Sequence, residues 1–372
     1  MSILDTNEVN TGRQKEIDLA KAVVIFFLAT IHVYVECSTD LQLWGGLPYL
    51  FDSIVGGPWA APMFIFSMGI GLAYTPKNTP RDLFLRGLNI ALVGFLLNIC
   101  RFLIPSLVGY AITGDGAMYL EDLPYKFFGN DLLQFAALAM LFMAFLKWLK
   151  LSPWKIFFVA LAINIIAMFL NNLYFDNMVL NIFLGHFIGI DDGTETVVSD
   201  FPVMIWFLMY ACGLVYGGIL RRMKDKKRFY KYVSVPCLLV TIAVYIFQYV
   251  RGFGMMGGPG ANVFYHLTTP EIFLCIGTEF GMLGIYYMIT ERVSDKVMDM
   301  ITAVSRSVTI VYFIQWTLVM WVTNVLIYIA FGSKYLDSWK SLIVGLVLSF
   351  ASVILAEQWV RFQKKRKEKR EP

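Results

Sequence analysis

An all-α, polytopic integral membrane protein of about ten transmembrane helices is the fold class this sequence predicts, and three observations predict it. The chain is 58% hydrophobic and only 16% charged over 372 residues, whereas soluble domains run about 45–50% apolar and about 25% charged. Its mean hydropathy is +0.63, and apolar windows long enough to cross about 30 Å of hydrocarbon recur along its length. The basic residues crowd alternate connecting segments, as they do when successive connections lie on opposite sides of a membrane.

The windows fall at 18–36, 54–74, 84–106, 131–149, 154–172, 202–220, 233–250, 270–290, 303–330 and 340–360. A cytoplasmic segment, 1–16, precedes a single transmembrane domain, 17–360, and a basic cytoplasmic tail, 361–372, follows it. The opening MSILDTNEVNTGRQKE has neither the apolar core nor the small-residue cleavage site of a signal peptide, so the first span is expected to be retained. With the N-terminus inside, 26 of the 31 basic residues lie on the cytoplasmic side, and only Arg101, Lys126, Arg251, Lys334 and Lys340 lie outside. That asymmetry places both termini in the cytoplasm. The tail RFQKKRKEKR reads as a topogenic signal able to touch anionic lipid, with no nucleic-acid role expected.

The outer connections differ in kind from the inner ones. Residues 37–53 hold no basic residue, 105–130 hold Gly109, Gly114, Gly116 and an EDLP turn, 173–201 hold Asp176, Asp191, Asp192, Glu195 and Asp200, and 251–269 is glycine-rich. Loops of this kind either shape a site for a polar ligand or simply connect spans. Cys37, Cys100, Cys212, Cys237 and Cys275 form no CxxC pair and read as small buried hydrophobes. Three scattered histidines, His32, His186 and His266, lack metal-ligand spacing, so no metal is expected.

The first span, EIDLAKAVVIFFLATIH, sets Asp18, Lys21 and His32 in an otherwise apolar helix. Eleven residues at 100° each return Lys21 and His32 to nearly one face, about 16 Å apart along the axis. Ile25 and Leu28 fill the stripe between them. Ionisable groups in a span cost about 2.5–3.5 kcal/mol each at its centre, so they are there for a use. In the outer half of the membrane lie His32 and Glu36, Asn98 and Arg101, Asp131 and Gln134, Gln248 and Arg251, and His266 and Glu271. Glu279 sits near the midplane and Gln315 within the ninth span. Together these suggest an outward-opening polar crevice. On the inner side Asp18, Lys21, Arg81, Arg86 and Arg306 gather at helix ends. They read either as snorkelling anchors or as a cradle for the phosphates of an anionic cofactor, without a glycine-rich nucleotide loop.

DLAK followed by an apolar run to His32 resembles the first span of the transmembrane acyltransferase superfamily, in which an arginine is followed after ten residues by a histidine; Lys21 stands in the arginine's place. Other segments resemble one branch, the heparan-α-glucosaminide N-acetyltransferase-like catalytic domain, related to the acyltransferase-3 family. They are GGPWAAPMFIFSMGIGLAYT (56–75), RDLFLRGLNIALVGFLLN (81–98), NDLLQFAALAML (130–141), DFPVMIWFLMYACGLVYGGIL (200–220) and SRSVTIVYFIQW (305–316), in the branch's own order. The resemblance implies an acyl-CoA donor on the cytoplasmic side, acetyl-CoA foremost, and an extracytoplasmic acceptor such as a glycan hydroxyl or amine. It implies His32 as catalytic base or acyl carrier and Lys21 near the donor, with Asp18, Arg81, Arg86 and Arg306 as further donor-binding candidates. Glu36, Asp131 and Glu279 are candidates to orient the base. Asn98, Arg101, Gln134, His266, Glu271 and Gln315 are candidates for the oxyanion or the acceptor.

The expected location is a cell membrane, that of a bacterium, with lipids as the surrounding partner and a dimer compatible with the chain. The alternative is a secondary transporter coupled to protons through Glu279 and the outer polar cluster, against which the absence of internal repeats counts. A structural or partner-binding membrane protein ranks last, because it leaves the intramembrane charges idle.

Overall fold

The computed structural model describes residues 3–39, 46–191, 199–254 and 264–369. Asp192, Glu195 and most of the glycine-rich 251–269 loop lie outside these residues. Among the described residues the regular secondary structure is all helical, joined by turns and loops with three isolated β-bridges, as the fold class requires. The helices are α1 (Lys15–Cys37), α2 (Leu47–Phe51), α3 (Ala60–Tyr74), α4 (Pro80–Asn98), α5 (Ile104–Thr113), α6 (Gly116–Leu120), α7 (Leu123–Phe128), α8 (Leu132–Trp148) and α9 (Pro153–Met168). They continue as α10 (Met178–Gly185), α11 (Val203–Arg221), α12 (Lys226–Phe229), α13 (Val235–Arg251), α14 (Thr269–Thr290), α15 (Asp295–Arg306), α16 (Val308–Trp321), α17 (Ile327–Phe331) and α18 (Ser338–Glu368). Four wider, π-helical turns join consecutive helices at Asp52–Trp59, Ile99–Leu103, Tyr230–Ser234 and Val322–Leu326.

Nine helices among the described residues are long and apolar enough to cross a membrane. The fifth sequence window corresponds to α9, a shorter apolar helix of 16 residues, which reaches about 24 Å. The ninth window starts too early. Residues 303–306 belong to α15, an amphipathic helix carrying Asp295, Lys296, Asp299 and Arg306, and the backbone leaves helical geometry at Ser307 (φ −101°, ψ 14°) before the apolar α16 begins at Val308.

The chain forms two compact units. The first comprises Met1–Arg13, Ala61–Asn98 and Asp122–Tyr287. Its helices approach closely where glycines remove side chains. A Cβ added at Gly69 would collide with the Tyr210 carbonyl, and one at Gly213 with the Phe66 carbonyl, so α3 and α11 touch backbone to backbone. Gly87 and Gly94 seat α4 against Ala137, Leu141 and Leu133 of α8 in the same way. α9 is tied to α11 by Asn164, whose amide donates to the Ile205 carbonyl at 2.9 Å. The N-terminal segment docks at the end of α11 through the Leu4–Met223 bridge and the Asp5–Lys224 ion pair at 2.6 Å.

The second unit comprises Gln14–Ala60, Ile99–Glu121 and Met288–Pro372. Its axis is α1 lying along α18. The α18 face toward α1 reads Ser338, Ser341, Gly345, Leu348, Ser349, Ser352, Ala356, all buried and mostly small. Small residues let helix backbones approach where lipid offers no hydrophobic drive for association. A Cβ on Gly345 would lie 2.5 Å from the Thr30 Cα, Thr30 meets Ser349 at 3.0 Å, and Ser38 meets Ser338 at 2.9 Å. Ile25 and Leu28, the stripe between Lys21 and His32, are buried, so this face of α1 looks into the unit.

Candidate active site

In the second unit, α1 brings His32 against Trp316 of α16, with ring centroids 3.8 Å apart and planes 34° apart. Arg101 comes to the same indole from the π-helical turn Ile99–Leu103, its guanidinium carbon 4.7 Å from the Trp316 ring and 4.3 Å from the Phe102 ring. This guanidinium is 1% exposed. A buried cation over an aromatic face gains about 2 kcal/mol or more once desolvated. One indole thus touches both an imidazole and a guanidinium. Gln315, the residue before Trp316 on α16, is fully buried, and among the described residues neither end of its amide has a hydrogen-bond partner. The Trp316 indole N–H is likewise buried without an acceptor. Such groups cost about 1–3 kcal/mol each unless something completes them, so the surroundings of His32 hold donors with vacancies.

The local backbone supports this arrangement. Widened turns add a residue and re-aim the side chains that follow, and they recur at functional sites. Among the described residues this unit holds three of them, at Asp52–Trp59, Ile99–Leu103 and Val322–Leu326. Tyr119, wedged against Gly109, donates to the Asn324 carbonyl of the third at 2.9 Å.

At the other end of α1, Asp18 is buried, accepts a hydrogen bond from Ser305 at 2.6 Å and pairs with Lys21 at 3.8 Å. The N-terminal end of α1 is thereby fastened to the end of α15. Arg306, next to Ser305, is exposed.

The structure therefore brings together His32 and Arg101 at Trp316, and separately Asp18, Lys21 and the neighbourhood of Arg306; Gln315 precedes Trp316 on α16 and is buried. Glu36 lies one turn beyond His32 on α1 and is half-buried. The remaining candidates belong to the first unit. Asp131 caps α8, accepting from Leu132 N at 2.6 Å. Glu271 closes a capping box at the start of α14, accepting from Thr268 N and Thr268 Oγ1 at 2.8 and 2.7 Å. Asn98 donates to the Phe127 carbonyl at 2.7 Å, and Gln134 lies against Gly94. Arg81 and Arg86 are exposed on α4. His266 is buried, with Nε2 3.0 Å from the Ser199 carbonyl and Nδ1 2.9 Å from the Asn172 carboxamide, and burial pushes its imidazole below the usual histidine range. Glu279 is buried at the middle of α14.

One residue that sequence reasoning passed over belongs to the site. Trp316 was hidden among the aromatics of an apolar helix, although its place beside an intramembrane glutamine was a usable signal.

No curated protein and no solved structure matches the chain. The model of the acyltransferase-3 family, described as an acyltransferase domain, matches residues 14–357. The match names this family and not the heparan-α-glucosaminide N-acetyltransferase-like branch of the superfamily. It runs through α1 with His32, the turn carrying Arg101 and α16 with Trp316, and on it the chain belongs to the acyltransferase-3 family as a multi-pass membrane acyltransferase.

Proposed function

We propose that the protein moves an acyl group, acetyl foremost, from a cytoplasmic acyl-CoA to a hydroxyl or amine of an extracytoplasmic glycan or small acceptor, in the plasma membrane of a bacterium. The observation that supports this reading best is the His32–Trp316–Arg101 stack, with the buried amide of Gln315 one residue before Trp316 on the same helix. Acyl transfer needs a base for the acceptor's proton and donors for the oxyanion that develops on the acyl carbonyl. His32 takes the proton as the acceptor oxygen or nitrogen bonds to the carbonyl carbon. The Trp316 N–H and the Gln315 amide are unengaged donors suited to the oxyanion. Arg101 supplies positive charge to the same indole. When the C–S bond breaks, the thiolate of CoA leaves and takes a proton. Lys21 and Arg306, at the inner end of the same unit, are the cations offered to the donor's phosphates.

The test is transfer of radiolabelled acetyl from acetyl-CoA in purified proteoliposomes. His32→Ala is expected to lower turnover by about 10²–10⁴-fold, the range of general-base catalysis, with insertion and folding intact. Undiminished turnover would remove His32 from the chemistry. A hydroxylamine-labile acetyl group trapped on wild type but absent from His32→Ala would make the histidine a covalent carrier instead of a base.

A further inference from the structure

Where α11 ends, the first unit holds an open cleft of about 380 Å³ that the transfer chemistry does not use. Its lining includes Lys224, Lys226 and Lys227, Asn10 of the N-terminal segment and Tyr287 of α14. The volume falls in the range of small-ligand sites, about 300–1,000 Å³. The lysines come from a strongly basic stretch: seven of the eleven residues from 221 to 231 are Lys or Arg, against one acid, Asp225. Basic residues in a connection set the side of the membrane on which it stays, and charge alone suffices for that duty.

Here the stretch is also folded into place. Asp225 caps α12, its Oδ1 accepting from Arg228 N at 2.9 Å, so the acid of the lining is turned toward its own helix. The N-terminal segment fastens both neighbours of Met223. Asp5 N donates to the Arg222 carbonyl at 2.8 Å, Lys224 N donates to the Ile3 carbonyl at 3.0 Å, and Asp5 pairs with Lys224 at 2.6 Å. Asn10 is tied to the end of α11, its backbone N–H donating to the Arg221 carbonyl at 2.9 Å and its side-chain amide to the Leu220 carbonyl at 3.2 Å. Lys226 is held as well. Its Nζ lies 5.4 Å from the centre of the Tyr287 ring, and Tyr287 packs on Tyr230 with centroids 5.0 Å apart. Tyr230 is buried and meets Tyr216 of α11 hydroxyl to hydroxyl at 3.1 Å. A row of three tyrosines thus fixes one cation at the cleft. Lys227, next to it in sequence, is exposed and lines the same cleft. Two neighbouring ammonium groups repel each other, and an anion shared between them reverses the sign of that interaction.

We propose that this cleft is a phosphate-binding site, with Lys226 and Lys227 as the cations that meet the anion. Lysine meets phosphate as a point charge with three donors. Clusters of four to eight basic residues at the cytoplasmic end of a span are also where anionic lipid headgroups gather. The phosphate belongs either to an anionic lipid of the inner leaflet or to a soluble phosphate compound; the chemistry at the lysines is shared, and the two sources are separated by experiment. The site is independent of the acyltransferase reading, whose donor-binding cations, Lys21 and Arg306, belong to the second unit.

The experiment is native mass spectrometry of the purified full-length protein in neutral detergent, in about 0.15 M ammonium acetate so that diffuse charge is screened. It is titrated separately with short-chain phosphatidylglycerol, with short-chain phosphatidylcholine and with inorganic pyrophosphate. The expected result is a saturable adduct with phosphatidylglycerol, with pyrophosphate or with both. Lys226→Gln/Lys227→Gln should weaken it about 25-fold, about fivefold per lysine. Lys227→Gln alone, at an exposed side chain, should weaken it about fivefold and carries the test if the double variant does not fold. Arg222→Gln/Arg228→Gln removes the same charge from exposed residues of the same stretch that are not part of the described lining, and should stay within about twofold of wild type. An adduct with phosphatidylglycerol alone assigns the site to a lipid headgroup, and one with pyrophosphate assigns it to a soluble phosphate. No saturable adduct with either probe, phosphatidylcholine bound as tightly as phosphatidylglycerol, or equal weakening in the lysine and arginine pairs would each overturn the proposal.

Discussion

At the scale of single residues, Trp316 has two separable duties: its ring face holds His32 and Arg101, and its N–H is a buried donor awaiting an acceptor. Trp316→Phe removes the second duty and weakens the first, because Phe is the poorer partner for a cation. If the N–H meets the oxyanion, kcat for acetyl transfer should fall by about 10² while KM for acetyl-CoA stays within about twofold, the signature of an interaction made mainly in the transition state. Trp316→Leu, which also removes the face against which His32 rests, should fall further. A Trp316→Phe enzyme with unchanged kcat would show that the N–H has no part in the reaction. The pairing of Lys21 with His32 was legible in the sequence, since helix geometry alone returns them to one stripe. The i,i+3 spacing of Asp18 and Lys21 was legible too. The tertiary partners were not: His32 meets an indole and Asp18 meets Ser305 because of how distant helices dock, and hydrophobic spans carry little periodic signal about which neighbour they choose.

At the scale of elements, glycine decides which helices can meet. α3 and α11 cross with carbonyl oxygens where Cβ atoms would lie, at Gly69 and Gly213. Adding one methyl there forces the backbones apart, and overpacking of a tight contact costs about 1–3 kcal/mol. Gly213→Ala should therefore lower the melting temperature and the yield of monodisperse protein in detergent. Gly218→Ala, on the same helix with open space around its Cβ, should leave both unchanged. Equal melting temperatures for the two variants would refute the backbone contact. The spans themselves could be read from hydropathy to within a few residues, but the widened turns could not. A π-helical turn differs from an α-helical one by a single residue, and the sequence ICRFL that bears Arg101 has no composition of its own. Arg101 was visible as an intramembrane charge, whereas its aim at an indole was set by that extra residue.

At the scale of the whole molecule, acid sensitivity follows from two histidines that lie outside the membrane-spanning helices. His266 is enclosed by Ser199 and Asn172, and His186 holds the Ile182 carbonyl at 2.8 Å through Nδ1. Burial is the main cause that lowers both below the usual histidine range, and their hydrogen bonds oppose it only in part. The sign follows from counting protons. Between the lowered native value and the unfolded value of about 6.5, the unfolded chain binds protons that the folded one refuses, so stability rises with pH across this window. Read downward, stability is complete above about 6.5 and drains away as pH falls below it. Thermal melts of the purified protein should therefore drop progressively from pH 7 to pH 5. His266→Gln, uncharged at every pH in the range, should flatten part of that slope while lowering the plateau through its altered hydrogen bonds. An unchanged slope in His266→Gln would place the acid sensitivity elsewhere, and the same series in His186→Gln then identifies whether the second imidazole carries it.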